Sequence, residues 1–213
     1  MKNMLKEPYD AWHNERYFEG LGALHQDDAK YLLVTMKQVL EEHDVVMMPM
    51  FGTLLGAIRE HGFIPKDDDV DIAIYAKDIQ RVFDLRPELE RYDIHLHCYV
   101  LPWIFTFEYK GTHCDVYPLY ESIWPWTNHY YLLLEQYISR SFFDTTEDYE
   151  LFNDIFKVPA HPERLLSYLY GNDWRIPQSK KPHIESHLFF WRYAYRFIQK
   201  CVRYAQKHWL KQK

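Results

Sequence analysis

The sequence predicts an α/β (α+β) fold: a small mixed β-sheet flanked by helices. Two observations carry this expectation. Residues 27–43 repeat apolar side chains at helical spacing, as do residues 162–170. Between them lie short runs that alternate apolar and polar residues or are rich in aromatic and β-branched side chains, at 45–50, 70–75, 94–100, 103–109 and 113–119. Helices interspersed with short strands pack as layers around one sheet.

The elements follow in order. In 27–43, Leu32, Leu33, Met36, Val39 and Leu40 form one helix face, and Asp27 or Asp28 is expected to cap it. Val45–Met50 is a short apolar run expected as a buried strand. Gly52-Thr53 then turns the chain into a short helix, Leu54–His61, with Gly62 as its C′ residue. Val70–Tyr75 is the second strand, and Asp78–Phe83 starts a helix. Strands at 94–100 and 103–109 lead to the turn signal Lys110-Gly111, so His113–Leu119 is expected to pair back as a hairpin. Helical segments are expected in 121–160, then a helix over Pro162–Tyr170 ending at Gly171 and a long helix over 183–210. The expected division is a catalytic domain, 1–182, and a C-terminal basic aromatic helix, 183–213.

Composition bounds the function. The 213 residues are 47% hydrophobic, enough for a real core, and hold only seven glycines. The three cysteines, Cys98, Cys114 and Cys201, form no Cys-x-x-Cys, so zinc ribbons and redox motifs are unsupported. The low, odd count favours a reducing compartment. Met1–Pro8 has no long apolar run and no stretch approaches membrane-spanning length, so a cytoplasmic protein is expected. The net charge is −6, yet residues 183–213 alone carry seven Lys/Arg against one Glu. An acidic body lacks the broad basic surface that nucleic-acid binding requires, so no nucleic-acid partner is expected.

The chemistry is concentrated in 51–72. Asp69-Val70-Asp71-Ile72 alternates charged with apolar residues, so in a strand Asp69 and Asp71 point into one site while Val70, Ile72 and Ile74 point into a core. Two like charges on one strand face are destabilising without a partner. A hard divalent cation held by carboxylates and substrate phosphate resolves this, and Mg²⁺ (or Mn²⁺) is the expected cofactor. A calcium loop starting at Asp67 fails, because its sixth position, which needs Gly for a sharp turn, is Ile72. Two-metal chemistry calls for a further carboxylate, and Asp115, on a strand whose Cys114 and Val116 face the core, is the best candidate. Gly52 and Thr53 offer backbone N–H groups at a helix N-terminus for phosphate. Arg59 and Lys66 flank the acidic run and could neutralise a second phosphate or serve as ion-pair partners. Asp67 and Asp68 are expected to orient the loop or a metal's waters. His183-Ile-Glu-Ser-His187 has its Glu misplaced for a zinc protease helix, and these histidines are expected at the surface or in packing.

Gly52-Thr-Leu-Leu-Gly-Ala-Ile-Arg59 followed by Gly62-Phe-Ile-Pro-Lys-Asp-Asp-Asp-Val-Asp71 resembles the signature of the LicD / fukutin-type phosphotransferase family, within the nucleotidyltransferase-fold superfamily. Asp115-Val-Tyr-Pro-Leu119 resembles the family's strand with its third acidic residue. Leu169-Tyr-Gly-Asn-Asp-Trp-Arg-Ile-Pro177, with Val158-Pro159 before it, resembles its Tyr-Gly-x-x-Trp-x-x-Pro segment. The resemblance spans roughly residues 28–180; Lys66 stands where a Trp is common. It implies Asp69, Asp71 and Asp115 as metal-binding carboxylates. It implies transfer of a phospho-alcohol, such as phosphocholine or a polyol phosphate, from a CDP-linked donor to a sugar of a cell-surface glycan, with release of CMP. Two alternatives use the same residues: a nucleotidyltransferase that releases pyrophosphate, and a silent glycan- or nucleotide-binding module.

Leu188, Trp191, Tyr195, Ile198, Val202, Ala205 and Trp209 recur in steps of three and four, with Arg192, Arg196, Lys200, Arg203 and Lys207 supplying cations. Such a stripe packs on the domain or on a second subunit, or lies peripherally on the inner face of an anionic membrane.

Overall fold

The computed structural model describes residues 9–10, 24–100, 104–122, 128–134 and 136–177. All of them belong to the first of the chain's two compact units, Met1–His183. The aromatic stripe of 188–213, the expected helix over 183–210 and His183 and His187 lie outside the described residues.

Helix α1 spans Gln26–Glu42 and buries Leu32, Leu33, Met36, Val39 and Leu40, the expected face. Its N-cap is His25 rather than Asp27 or Asp28. His25 Nδ1 pairs with Asp28 Oδ2 at 3.0 Å, leaving both aspartates in the first turn, where carboxylates suit the helix dipole. Strand β1 is Tyr9–Asp10, β2 is Met47–Pro49, β3 is Asp69–Tyr75, β4 is His95–Val100, β5 is Ile104–Tyr109 and β6 is Thr112–Glu121. Their order in the sheet is β1-β4-β5-β6-β3-β2. β3 and β6 run parallel and β4–β5–β6 antiparallel, so the sheet is mixed. The turn between β5 and β6 is the predicted Lys110-Gly111, both at positive φ, as a two-residue hairpin demands. Val70, Ile72, Ile74, Cys114, Val116, Phe105 and Phe107 form one fully buried core cluster with α1. The short helices α3 (Ile79–Asp84) and α4 (Arg86–Leu89) add Val82, Leu85 and Leu89 to it.

Helix α2 spans Phe51–Glu60, so Gly52 and Thr53 are its first turn rather than a turn before it. Its C-terminus departs from expectation. The left-handed residue is His61 (φ 55°), one before Gly62, and its imidazole Nδ1 is held 3.1 Å from the Tyr149 hydroxyl. The motif's second glycine has a steric reason: a Cβ on Gly56 would stand 2.5 Å from the Gly62 carbonyl oxygen.

The described residues of 121–160 do not form the expected helical segments. They hold β7 (Tyr130–Leu133), β8 (Gln136–Ser139), a 3-10 turn at Arg140–Phe142, and the hairpin β9 (Thr146–Leu151) and β10 (Asp154–Pro159). The β9–β10 turn is Phe152-Asn153, both at positive φ, and the Phe152 ring packs on that of Phe63, centroids 5.0 Å apart. Lys37 on α1 is buried and pairs with Asp154 Oδ1 at 3.0 Å, pinning the hairpin to the core helix. Helix α5 spans Pro162–Tyr170 and stops at Gly171 (φ 90°), as predicted. Among the described residues no helix is long and apolar enough to cross a membrane.

Candidate active site

The site forms where the β2–α2 junction meets the parallel pair β3–β6. The register places Asp71 directly beside Asp115 and Asp69 beside His113. Because Val70, Ile72, Cys114 and Val116 point into the core, alternation sends Asp69, Asp71 and Asp115 out on the opposite face together. Each of the three offers a carboxylate oxygen within 4.8 Å of the other two. Asp71 and Asp115 are both 6% exposed; Asp69 is half-buried.

Three hydrogen bonds fasten the junction to Asp71. Met50 N–H donates to the Asp71 carbonyl at 3.0 Å, Gly52 N–H donates to Asp71 Oδ2 at 3.0 Å, and the Asp71 N–H donates to Thr53 Oγ1 at 2.8 Å. Gly52 and Thr53 are thus first of all the clamp that fixes Asp71. Phe51, between them and β2, sits at φ 42°, an uncommon state for an aromatic residue, with its ring edge-on to Tyr117 at 4.9 Å. Thr106, fully buried on β5, donates its hydroxyl to Asp115 Oδ1 at 2.6 Å.

The electrostatics are those of crowded anions. Burial, then Asp69, Asp115 and Asp67, holds the Asp71 carboxyl well above its ordinary range. Burial, then Asp68, raises Asp67 to about 6. Asp67 reaches the cluster across Gly52: a Cβ there would lie 2.7 Å from Asp67 Oδ2 and 3.3 Å from Asp71 Oδ2. Asp67 Oδ2 is buried with no hydrogen-bond partner. Burial, then Asp71, Asp115 and Asp69, also raises the Tyr117 hydroxyl.

The other flanking residues are placed differently. Arg59 gives Nε to Glu60 Oε1 at 2.7 Å and Nη1 to the Trp174 carbonyl at 3.1 Å, so it ties α2 to the Tyr170–Pro177 segment. Lys66 is exposed, at φ 72°, one residue before the acidic run. Asp68 is exposed beside Asp67 and Asp69. Burial, then Asp71, Asp67 and Asp69, raises the Tyr170 hydroxyl, which brings the third motif to the same site.

Sequence reasoning missed Thr106, Tyr117 and Tyr170 as site residues and gave Asp67 only an orienting role. Two signals were present. Tyr117 stands two residues from Asp115 and so shares its face. A two-residue turn at Lys110-Gly111 pairs Thr106 with Asp115 by simple counting, as observed.

The donor set is entirely carboxylate oxygen, with one buried oxygen lacking a partner and mutual repulsion raising the pKa values. It fits a hard divalent cation such as Mg²⁺ or Mn²⁺.

A curated relative, the lipopolysaccharide cholinephosphotransferase LicD of Haemophilus influenzae (strain ATCC 51907 / DSM 11121 / KW20 / Rd), is 53% identical over 34 residues; these are 16% of this chain and only 13% of that protein. Among solved structures, ANT(2")-Ia in complex with adenylyl-2"-tobramycin aligns with a TM-score of 0.47 at 15% identity, covering 65% of this chain and 74% of the other. The lincomycin-bound lincosamide antibiotic adenylyltransferase LnuA aligns with a TM-score of 0.47 at 12% identity, covering 68% and 85%. The model of the LicD/FKTN/FKRP nucleotidyltransferase domain matches residues 44–161, more than half of the chain and all three site aspartates, and the chain belongs to that family.

Proposed function

We propose that this protein is a metal-dependent phosphotransferase that moves a phospho-alcohol from a CDP-linked donor to a sugar hydroxyl of a cell-surface glycan, releasing CMP. The observation that carries the reading is the register pairing of Asp71 with Asp115, which gathers three carboxylates beside a helix N-terminus in a LicD-family domain. The matched segment of a lipopolysaccharide cholinephosphotransferase supports the choice of chemistry.

Asp69, Asp71 and Asp115 would hold Mg²⁺ or Mn²⁺, which supplies a Lewis acid for the donor's pyrophosphate oxygens. The remaining work falls to the chain. The first turn of α2, with Gly52 and Thr53, lends phosphate the partial positive charge of a helix N-terminus, the Gly52 N–H itself being given to Asp71 Oδ2. The Thr53 hydroxyl, buried, accepts from the Asp71 N–H and so fixes the carboxylate that faces the phosphate. Lys66, exposed at the rim, meets the outer phosphate oxygens as a mobile point charge. Thr106 holds Asp115 Oδ1, orienting the carboxylate so that Oδ2 takes the proton of the attacking sugar hydroxyl. In this reading Arg59 positions the Trp174 segment rather than phosphate. The enzyme would act in the cytoplasm, residues 188–213 bringing it to the inner membrane face, to a second subunit or back onto the domain. Loss of liposome binding on removing 188–213 from an otherwise folded protein would select the membrane.

The test is CMP release from a panel of CDP-alcohols with Mg²⁺ or Mn²⁺, with and without glycan fragments, against Asp69→Asn and Asp71→Asn. Metal-dependent release absent from folded variants is expected, and near-normal turnover by folded Asp71→Asn would overturn the site. Pyrophosphate release from nucleoside triphosphates would instead identify nucleotidyl transfer. Neither product with any donor would favour a silent binding module.

A further inference from the structure

Beside the acidic cluster the described residues hold a second group of metal-ligating side chains: His97 on β4, Glu108 on β5 and His113 on β6. Each offers one ligand atom within 4.8 Å of the others. The arrangement follows from the sheet. Glu108 and His113 are direct partners across the β5–β6 hairpin. His97 is brought to them by an irregularity in the ladder. Leu96 pairs with Phe107 and Cys98 with Thr106, so His97 is the extra residue of a β-bulge. Bulges bend a strand locally and re-aim a side chain, and they are frequent next to active sites. Here the bulge sets His97 Nδ1 3.0 Å from Glu108 Oε2 and its ring centroid 4.7 Å from that of His113, the planes 31° apart.

The His97–Glu108 ion pair and the His97–His113 ring contact bring the three side chains together. Two imidazoles and a carboxylate converging from three adjacent strands make a donor set of two nitrogens and one oxygen. We propose that His97, Glu108 and His113 form a transition-metal site, with Zn²⁺ the ion its donors favour. Imidazole nitrogen selects zinc-like ions, whereas the all-oxygen set of Asp69, Asp71 and Asp115 selects Mg²⁺ or Mn²⁺. Three protein ligands leave a fourth coordination position for water or a substrate oxygen.

The placement gives that open position meaning. Glu108 and His113 stand two residues from Thr106 and Asp115 on the same strands, and His113 is the register partner of Asp69. Two residues of strand rise separate the centres by about 7 Å along one sheet face. A zinc ion here would therefore border the acidic cluster on the face where a substrate would lie. The assignment does not rest on the phosphotransferase reading, since it uses other residues and other donor atoms.

The experiment uses the full chain, stripped of metal by chelator and titrated with Zn²⁺ in the presence of excess Mg²⁺, with Co²⁺ as a spectroscopic stand-in. One bound zinc is expected, with the intense visible absorption of four-coordinate cobalt. His97→Ala and Glu108→Gln should each weaken zinc binding more than about tenfold, and Asp71→Asn should leave it unchanged. The His97 and Glu108 side chains are 37% and 35% exposed, so both positions tolerate change, and melting curves in chelator check each variant's fold. X-ray absorption at the zinc edge of the unaltered protein counts imidazole ligands without any variant; two are expected. No zinc binding in excess Mg²⁺, binding lost in Asp71→Asn but kept in His97→Ala, or a zinc site without imidazole would each overturn the proposal.

Discussion

Gly52→Ala adds one methyl group at the point where stability and cation binding should separate. The new Cβ would lie 2.7 Å from Asp67 Oδ2 and 3.3 Å from Asp71 Oδ2. Against an ordinary contact of about 3.5 Å, the first is short by roughly 0.8 Å and the second by about 0.2 Å. Asp67 is the end of a half-buried side chain and can swing away; Asp71 is fixed by the Gly52 and Thr53 hydrogen bonds and need move little. Overpacking costs about 1–3 kcal/mol, here at the low end because the yielding atom is mobile. Gly52 lies in the first turn of α2, where alanine recovers up to about 1 kcal/mol over glycine. The metal-free fold should therefore change by no more than about 1 kcal/mol. Cation binding is less tolerant, because metal–oxygen distances are held to about 0.2 Å. We expect Mg²⁺ affinity to fall at least about tenfold, equivalent to ~1.4 kcal/mol. Turnover should fall on the order of a hundredfold, the usual consequence of a misplacement near 1 Å. Melting with chelator and with Mg²⁺, together with CMP release, reads all three quantities. A variant with wild-type Mg²⁺ dependence and turnover would refute the role given to Gly52. So would one that unfolds in chelator, which would make the glycine a packing requirement only.

In metal-free protein Asp67 is held at about 6 against an ordinary 3.8, so the fold favours its protonated form. That contribution is complete below about pH 4 and lost as the pH rises through 6. Asp71, raised well above its ordinary range by burial and its acidic neighbours, adds a contribution of the same sign. In chelator the melting temperature should decline over this window more steeply than with saturating Mg²⁺, and Asp67→Asn should flatten the decline; equal slopes in wild type and variant would contradict it. Thr106→Val removes the hydroxyl that donates to Asp115 Oδ1, a buried hydrogen bond to a charged group. It should cost about 2 kcal/mol in denaturant unfolding and lower kcat more than KM is changed. Asn153→Ala places alanine at φ 62° in the β9–β10 turn and should lose about 1 kcal/mol, while Asn153→Gly should lose none, both read by thermal melting.

The parts of the fold that were legible in the sequence are those where one local rule decides the structure. Alternation around Asp69 and Asp71 fixed a strand and its faces. The Lys110-Gly111 turn fixed a hairpin, and with it the pairing of Thr106 with Asp115. Pro162 and Gly171 fixed the ends of α5. What was not legible depends on distant partners. Phe152-Asn153 carries no Asn-Gly signal, and Phe152 packs on Phe63 and under Lys30, some ninety and more residues earlier. Glu147, Asp148 and Glu150 are poor strand formers by propensity, yet all three are exposed on β9, Asp148 and Glu150 on its outer face, and the buried Phe156 and Val158 on β10 anchor the hairpin. Arg59 looked available for phosphate because its partner, the Trp174 carbonyl, is brought to it only by tertiary structure. The bulge at His97 has no signature in the sequence at all, since it is a relation between two strands.

Two costs coincide at the β2–α2–β3 junction. Asp71 and Asp115 are like-charged register partners, both 6% exposed, in a position where an uncompensated pair opposes folding. Phe51, in the adjoining turn, occupies the left-handed region at φ 42°, a strain on the order of 1–3 kcal/mol. Neither is needed to close the core, which the α1 face and the opposite sides of β3, β5 and β6 complete without them. An asparagine in place of Asp71 could keep the oxygen that accepts from Gly52 while shedding the charge. Selection for stability alone would make that change. The chain instead spends three hydrogen bonds, from Met50, Gly52 and Asp71 itself, on holding the charged residue in place. A fold that concentrates unfavourable charge and backbone strain at one point, and then rigidifies it, is built for a ligand that removes the repulsion. Carboxylate donors suit a hard cation, the ligand proposed above.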